Sequence, residues 1–178
     1  MVCPESCQSS ISIAERRDKM EVEAVVKSGK GFYVGDVCYV LGDRVYHGEW
    51  GRMHSYADGV WEDPKTGFSF AVAGTAYGDG SYFDGEGHEY GVDAGVIGIV
   101  PLELVEKESG LELGRVFEGS GEAEFEADDG VFYIRVNGGN YVIIDTKEEE
   151  EEDEEYWDDD DDDEMGYDPY LGCYTDDV

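Results

Sequence analysis

Glycine punctuates this chain too closely for any long helix. Of its 25 glycines, 23 fall between residues 20 and 146, and each one inside a helix costs about 1 kcal/mol relative to alanine. The segments between them are short, rich in β-branched and aromatic residues, and several alternate apolar with polar, the period of a half-buried strand. Residues 20–26 set Val22 and Ala24 opposite Glu21 and Glu23, and Ser28-Gly29 ends the run. Residues 32–41 form a longer apolar run broken at Gly35-Asp36, and its alternation reads Cys38 as a core cysteine between Val37 and Tyr39. Residues 68–76 put Phe68, Phe70 and Val72 on one face. Residues 122–127, 131–137 and 140–145 are joined by Asp128-Asp129-Gly130 and Gly138-Gly139, the chemistry of short hairpin connections. Residues 59–67 read as a hairpin around Asp63-Pro64. Residues 96–104 read as a buried strand that Pro101 turns into an edge or exit segment. Residues 77–95, with six glycines, read as a series of turns. The stretch 44–52 is the least regular: Val45 and Trp50 would seat a short helical turn that Gly48 and Gly51 weaken. The pattern predicts an all-β fold, an antiparallel sandwich or small barrel of about eight strands.

Charge divides the chain further. It carries 45 Asp and Glu against 12 Lys and Arg, a formal charge of −33. Residues 148–178 hold 18 of those acids and no Lys or Arg. The expected organisation is a flexible arm over residues 1–19, a β-rich globular domain over 20–146, and a disordered acidic and aromatic tail over 147–178. Such a surface repels phosphate, which argues against direct binding of nucleic acid or of an anionic membrane and favours basic protein partners. No run approaches the ~20 apolar residues of a membrane span, and the first 20 residues lack the apolar stretch of a secretory signal. The expectation is a soluble, intracellular protein, cytoplasmic or nuclear. Cys3, Cys7, Cys38 and Cys173 contain no CxxC pair, so they read as reduced thiols rather than a zinc site or a disulfide framework.

Two signatures occur together. One is Gly35-Asp36-Val37-Cys38-Tyr39; the other joins Thr75-Ala76-Tyr77-Gly78-Asp79-Gly80-Ser81-Tyr82 to a later Val92-Asp93-Ala94-Gly95. Over about residues 29–105 the chain resembles a family of small β-rich microbial and viral domains marked by Gly/Thr-Asp-Pro-Cys-Tyr and Val-Asp-Ser/Ala-Gly segments. The resemblance implies a shared fold and assigns no activity. Val37 stands where that family usually has proline, and the tail lies outside the resemblance. Where such relatives occur also raises a structural or virion-associated role as a third reading.

The residues themselves offer two sites. Asp36, Cys38, Asp79 and Asp93 each lie in or beside glycine-marked strand ends, where side chains can converge on a pocket rim. As a carboxylate pocket they would serve a small ligand, a cation or a hydrolase. Read plainly, the aspartates cap their own turns. Cys38 with His47, His54 or His88 makes a poor nucleophile pair, because acidic surroundings raise a thiol pKa. The glycine-rich runs carry carboxylates where a phosphate would sit. No residue is therefore assigned a catalytic role, and no metal or cofactor is expected. The tail is the sharper feature. Tyr156-Trp157 interrupts two acidic blocks, and Tyr167, Tyr170 and Tyr174 follow. Aromatic anchors among acids resemble in composition the tails of histone chaperones and other binders of basic proteins. The leading expectation is a protein-interaction module whose tail engages a basic partner through these five residues.

Overall fold

The computed structural model describes residues 21–147. The arm and the tail anchors Tyr156, Trp157, Tyr167, Tyr170 and Tyr174 lie outside the described residues. The described residues form eleven strands: β1 Val22–Ser28, β2 Gly31–Gly35, β3 Gly59–Glu62, β4 Ser69–Gly74, β5 Gly80–Phe83, β6 Glu89–Val92, β7 Val96–Pro101, β8 Arg115–Glu118, β9 Gly121–Asp128, β10 Val131–Val136 and β11 Asn140–Asp145. They make a four-stranded sheet in the order β1-β9-β10-β11, a five-stranded sheet β3-β4-β7-β2-β8, and the separate hairpin β5-β6. Every pairing is antiparallel. The all-β antiparallel class holds, in its open sandwich form, and three strands of four residues each (β5, β6 and β8) come in addition to the expected set.

Side-chain alternation explains the layering. On β1, β9, β10 and β11 every second residue is buried, so this sheet has one dry face and one wet face. Its inner residues, among them Val26, Phe125, Phe132 and Ile144, share one core with Phe32 and Val34 of β2, Ala71 of β4, and Ile97 and Ile99 of β7. The intervening residues Tyr33, Phe70, Val72 and Val100 point the other way, into a second core with Val37, Leu41, Val45 and Trp50. The five-stranded sheet is thus covered on both sides, and β2 and β7 are buried at every position. This corrects the edge reading of residues 96–104. Strand β7 lies between β4 and β2, and Pro101 occupies only its last position, opposite Phe32.

The covering layer on the second core comes from residues that alternation did not fit. Arg44–Arg52 is a π-helical segment of nine residues. Val45 and Trp50, five apart, are both buried, and a spacing of five matches the i→i+5 turn of a π-helix rather than the 3.6 period. Gly51 is required there, because a Cβ would lie 2.5 Å from the Tyr56 ring. Arg44 anchors the segment by a two-pronged ion pair to the buried Asp63, at 2.6 and 2.8 Å. Asp63 also accepts from Thr66 Oγ1 at 2.8 Å and from Lys65 N–H. The Arg44 guanidinium outweighs burial and holds this carboxyl well below the usual carboxylate range.

The register also fixes where the chain enters and leaves. Val22 pairs with Ala127, Ala127 with Phe132, and Phe132 with Ile144. Glu21 and Lys147 therefore sit at the same end of the four-stranded sheet, on its outermost strands. Three strand spacings separate them, roughly 14 Å.

Candidate functional site

The aspartates singled out from sequence behave differently from one another. Asp36 is fully buried. Its Oδ1 accepts from Cys38 N–H at 2.9 Å, and its Oδ2 accepts from Asp93 N–H at 2.8 Å and Ala94 N–H at 2.6 Å. It caps its own turn and clamps the β6–β7 turn to the end of β2, so both oxygens are engaged by backbone. Asp93 is exposed. Burial and a hydrogen bond to Asp93 together raise the Tyr39 phenol above its ordinary pKa. Asp79, also exposed, lies one residue beyond the last hairpin pair, Gly80 with Val92, on the strand opposite Asp93. The fold gathers Asp36, Cys38 and Asp93 around one turn and leaves Asp79 across the hairpin mouth. Among the described residues, no three His, Cys, Asp or Glu side chains are grouped so as to hold a metal ion.

Cys38 is not in a strand. It sits half-buried in the 3-10 turn Val37–Tyr39, because β2 stops at Gly35 and Asp36 caps the turn that follows. Burial and the neighbouring Asp36 push its thiol up to about 12. The histidines are engaged elsewhere: His47 with Tyr56 at 2.9 Å, His54 stacked on Trp61, His88 with the Gly114 carbonyl at 2.9 Å. At pH 8 the native Cys38 is expected to alkylate at least about a hundredfold more slowly than in the unfolded chain, since only the thiolate reacts. Peptide-level mass spectrometry of iodoacetamide labelling reads this directly, and equal rates in both states would show an activated thiol.

The open feature of the domain is the wet face of the four-stranded sheet, which no sequence motif marked. Two rows of side chains cross it. The first row is Val25, Glu124, Arg135 and Tyr141; the second is Glu23, Glu126, Tyr133 and Ile143. Val25 is 57% exposed, Tyr141 49%, Ile143 40% and Tyr133 36%, an apolar and aromatic array on a face that water should own. A hollow of about 330 Å³ lies among Glu23, Val25, Glu126, Tyr133, Arg135 and Tyr141. Arg135 pairs with Glu124 at 3.3 Å and stands over the Tyr141 ring, while Lys27 pairs with Glu122 at 2.9 Å. Glu23 and Glu126 face each other across β1 and β9 and make no ion pair among the described residues. Alternation in the sequence placed these side chains outward; only the strand register brings the two glutamates together.

Among the described residues no helix is long and apolar enough to cross a membrane. No protein-family model, curated protein or solved structure matches this chain.

Proposed function

We propose that the protein is an interaction module for a basic protein partner, received on the wet face of the four-stranded sheet and gripped further by the acidic, aromatic segment that begins at Glu148. The observation that carries this reading is the direct opposition of Glu23 and Glu126. Like charges facing each other across two strands destabilise a sheet. A lysine or arginine placed between them turns that repulsion into charge-assisted hydrogen bonding. Tyr133 beside them and Tyr141 in the next row offer rings to its stem or its charged head. In the tail, Tyr156, Trp157, Tyr167, Tyr170 and Tyr174 serve as anchors while the acids speed the encounter. Binding of this kind weakens steeply with salt. The alternative, a carboxylate pocket for a ligand, a cation or hydrolysis at Asp36, Asp79 and Asp93, retains only the two exposed aspartates, since Asp36 is engaged by three backbone N–H groups.

The reading separates stability from binding. Glu126→Gln is expected to raise stability by about 0.2–1 kcal/mol, the worth of one cross-strand pair, while weakening the capture of a fluorescently labelled peptide of alternating Lys, Arg, Ser and Gly. Tyr156→Ala combined with Trp157→Ala is expected to weaken the same capture at unchanged net charge. Fluorescence anisotropy at low and at about half-molar salt, where screening is short-ranged, measures all three proteins. Equal affinities throughout would reduce the interaction to nonspecific charge.

A further inference from the structure

The outer strands of the two large sheets differ in how their edges are finished. Strands β3 and β8 have four residues each, and short edges offer little to a pairing partner. The outer side of β11 is already engaged: Gly85 N–H donates to the Ile143 carbonyl at 3.3 Å, and Asp84 bridges Ile144. Strand β1 has neither protection. It is seven residues long, contains no proline, and keeps an unbroken register with β9 from Val22 to Ser28, so no bulge twists it away. Among the described residues it has β9 on one side and no strand on the other.

The hydrogen-bond alternation shows which groups face that bare side. Asn137 N–H donates to the Glu122 carbonyl, and opposed residues of antiparallel strands alternate between bonded and unbonded pairs. Glu122, Glu124 and Glu126 therefore turn their backbone groups toward β10. Ala123, Phe125 and Ala127 turn theirs toward Val26, Ala24 and Val22. The N–H and C=O groups of Glu23, Val25 and Lys27 are left facing outward along the edge, with no backbone partner among the described residues.

This edge is complementary to itself. Turned about a two-fold axis at Val25, a second β1 lies antiparallel to the first, and all of Val22–Ser28 pairs with its copy. Val25, 57% exposed, then meets the other Val25. Each Lys27 meets the other chain's Glu23, and these are the residues whose free backbone groups face each other, so every such pair exchanges two bonds. Lys27 already pairs with Glu122 on β9 at 2.9 Å and is 74% exposed, so it would stand between two carboxylates. Glu23, opposed to Glu126 within its own sheet, would gain a cation on its other side. Axes at Glu23 or Lys27 set like charges opposite each other, and an axis at Ala24 leaves Lys27 and Ser28 outside the paired strand. A self-complementary patch is what a two-fold interface requires.

We propose that β1 is the seam of a homodimer, in which two copies of the chain pair their β1 strands about Val25 and join two four-stranded sheets into one of eight strands. The proposal does not rest on capture of a basic partner. One strand seam is a small interface, so the association belongs to the weak class. Sedimentation velocity on the full chain over a wide concentration range tests it, at about half-molar salt, where repulsion between the acidic chains is short-ranged. Lys27→Glu and Glu23→Lys each place like charges across the seam while changing the net charge in opposite directions. Each is expected to weaken dimerisation by about tenfold, since two symmetry-related pairs are reversed at once. Glu23→Lys combined with Lys27→Glu restores opposite charges and is expected to recover most of the loss. In hydrogen exchange, the amides of Glu23, Val25 and Lys27 are expected to gain protection as concentration rises, while those of Ala24 and Val26 are protected throughout. A chain that stays monomeric overturns the seam, as does a dimer that either single variant leaves intact or that the double exchange fails to rescue. Protection of Glu23, Val25 and Lys27 that is independent of concentration overturns it too, because the edge would then be covered within one chain.

Discussion

Replacing Asp84 with alanine is expected to lower the stability of the fold by about 3–5 kcal/mol, the joint cost of several lost hydrogen bonds to one buried carboxylate. Asp84 lies in the β5–β6 turn and is buried. Its Oδ1 accepts from the Glu86 and His88 N–H groups at 2.9 Å each, and its Oδ2 accepts from Tyr90 Oη at 2.8 Å and Arg115 Nη1 at 3.2 Å. Its backbone bridges Ile144 of β11. One carboxylate therefore ties the small hairpin to the five-stranded sheet through Arg115 and sits where that hairpin touches the four-stranded one. Alanine leaves the buried Tyr90 hydroxyl and the Glu86 and His88 N–H groups without their acceptor, while Arg115 keeps its pairing with Glu86 at 2.7 Å and the backbone bridge to Ile144 remains. Denaturant midpoints at pH 7 measure the loss.

The same residue dictates a pH dependence. Burial alone would raise the Asp84 pKa, but the His88 N–H, the Tyr90 hydroxyl, the Glu86 N–H and the Arg115 charge outweigh it and hold the carboxyl below its ordinary value. A depressed folded-state pKa contributes stability that is present above the unfolded value, about 4 for aspartate, and is lost as pH falls through the folded value. The stability gap between the native chain and Asp84→Ala is thus expected to be full at pH 7 and to narrow below about pH 4. A gap of constant size down to pH 2 would place the worth of Asp84 in packing rather than in charge.

Trp50→Ala is expected to cost about 3–5 kcal/mol, the range for emptying an aromatic site in a core. Trp50 is 1% exposed and stands edge-on to Tyr46, Tyr56 and Phe70 at centroid distances of 5.5, 5.2 and 6.1 Å. Its indole N–H donates to the Ala57 carbonyl at 2.8 Å, which also accepts from Trp61 Nε1. That shared acceptor stays satisfied when Trp50 is removed, so the loss is one of packing. Ser55 and Tyr56 hold φ of +54° and +55°, a conformation costly for a bulky residue, and the Trp50 ring packs against Tyr56 beside the backbone bonds from Ser55 N–H to the Gly51 carbonyl and from Tyr56 N–H to the Trp50 carbonyl. Trp50→Phe, which refills most of the cavity, is expected to lose less than half as much by thermal melting. Equal losses in the two variants would shift the importance to the indole hydrogen bond.

What could be read in advance follows from how far apart the interacting residues lie. The half-buried strands β1, β9, β10 and β11 announce themselves by alternation, and their turns by residues that tolerate positive φ: Asp129 and Gly130 at +51° and +79°, Asn137 and Gly138 at +51° and +68°. Strand β7 misleads, because a strand covered on both faces loses its alternation and its proline then dominates the reading. The four-residue strands β5 and β6 are concealed by the glycines that shape their ends. Cys38 follows an apolar run that the fold cuts at Gly35. The polar fasteners are invisible for a different reason: Asp63 meets Arg44 from 19 residues away and Asp84 meets Arg115 from 31, and no local pattern encodes such a meeting. The Glu23–Glu126 opposition likewise exists only in the register of β1 on β9. Of the four residues first placed in a pocket, Asp36 was legible as a turn cap, while its hold on the Asp93 turn 57 residues on was not.

The common exit of the two chain ends has a mechanical consequence. Tension applied between the arm and the tail pulls β1 and β11 apart from the same end, along the hydrogen bonds rather than across them, because ladder bonds run perpendicular to antiparallel strands. The rungs then carry the load one after another, as in a zip, beginning at Val22–Ala127 and Phe132–Ile144. Sheared strands would share that load among all their rungs at once. A domain pulled by these two handles therefore opens at low force, from the outer strands of the four-stranded sheet inward.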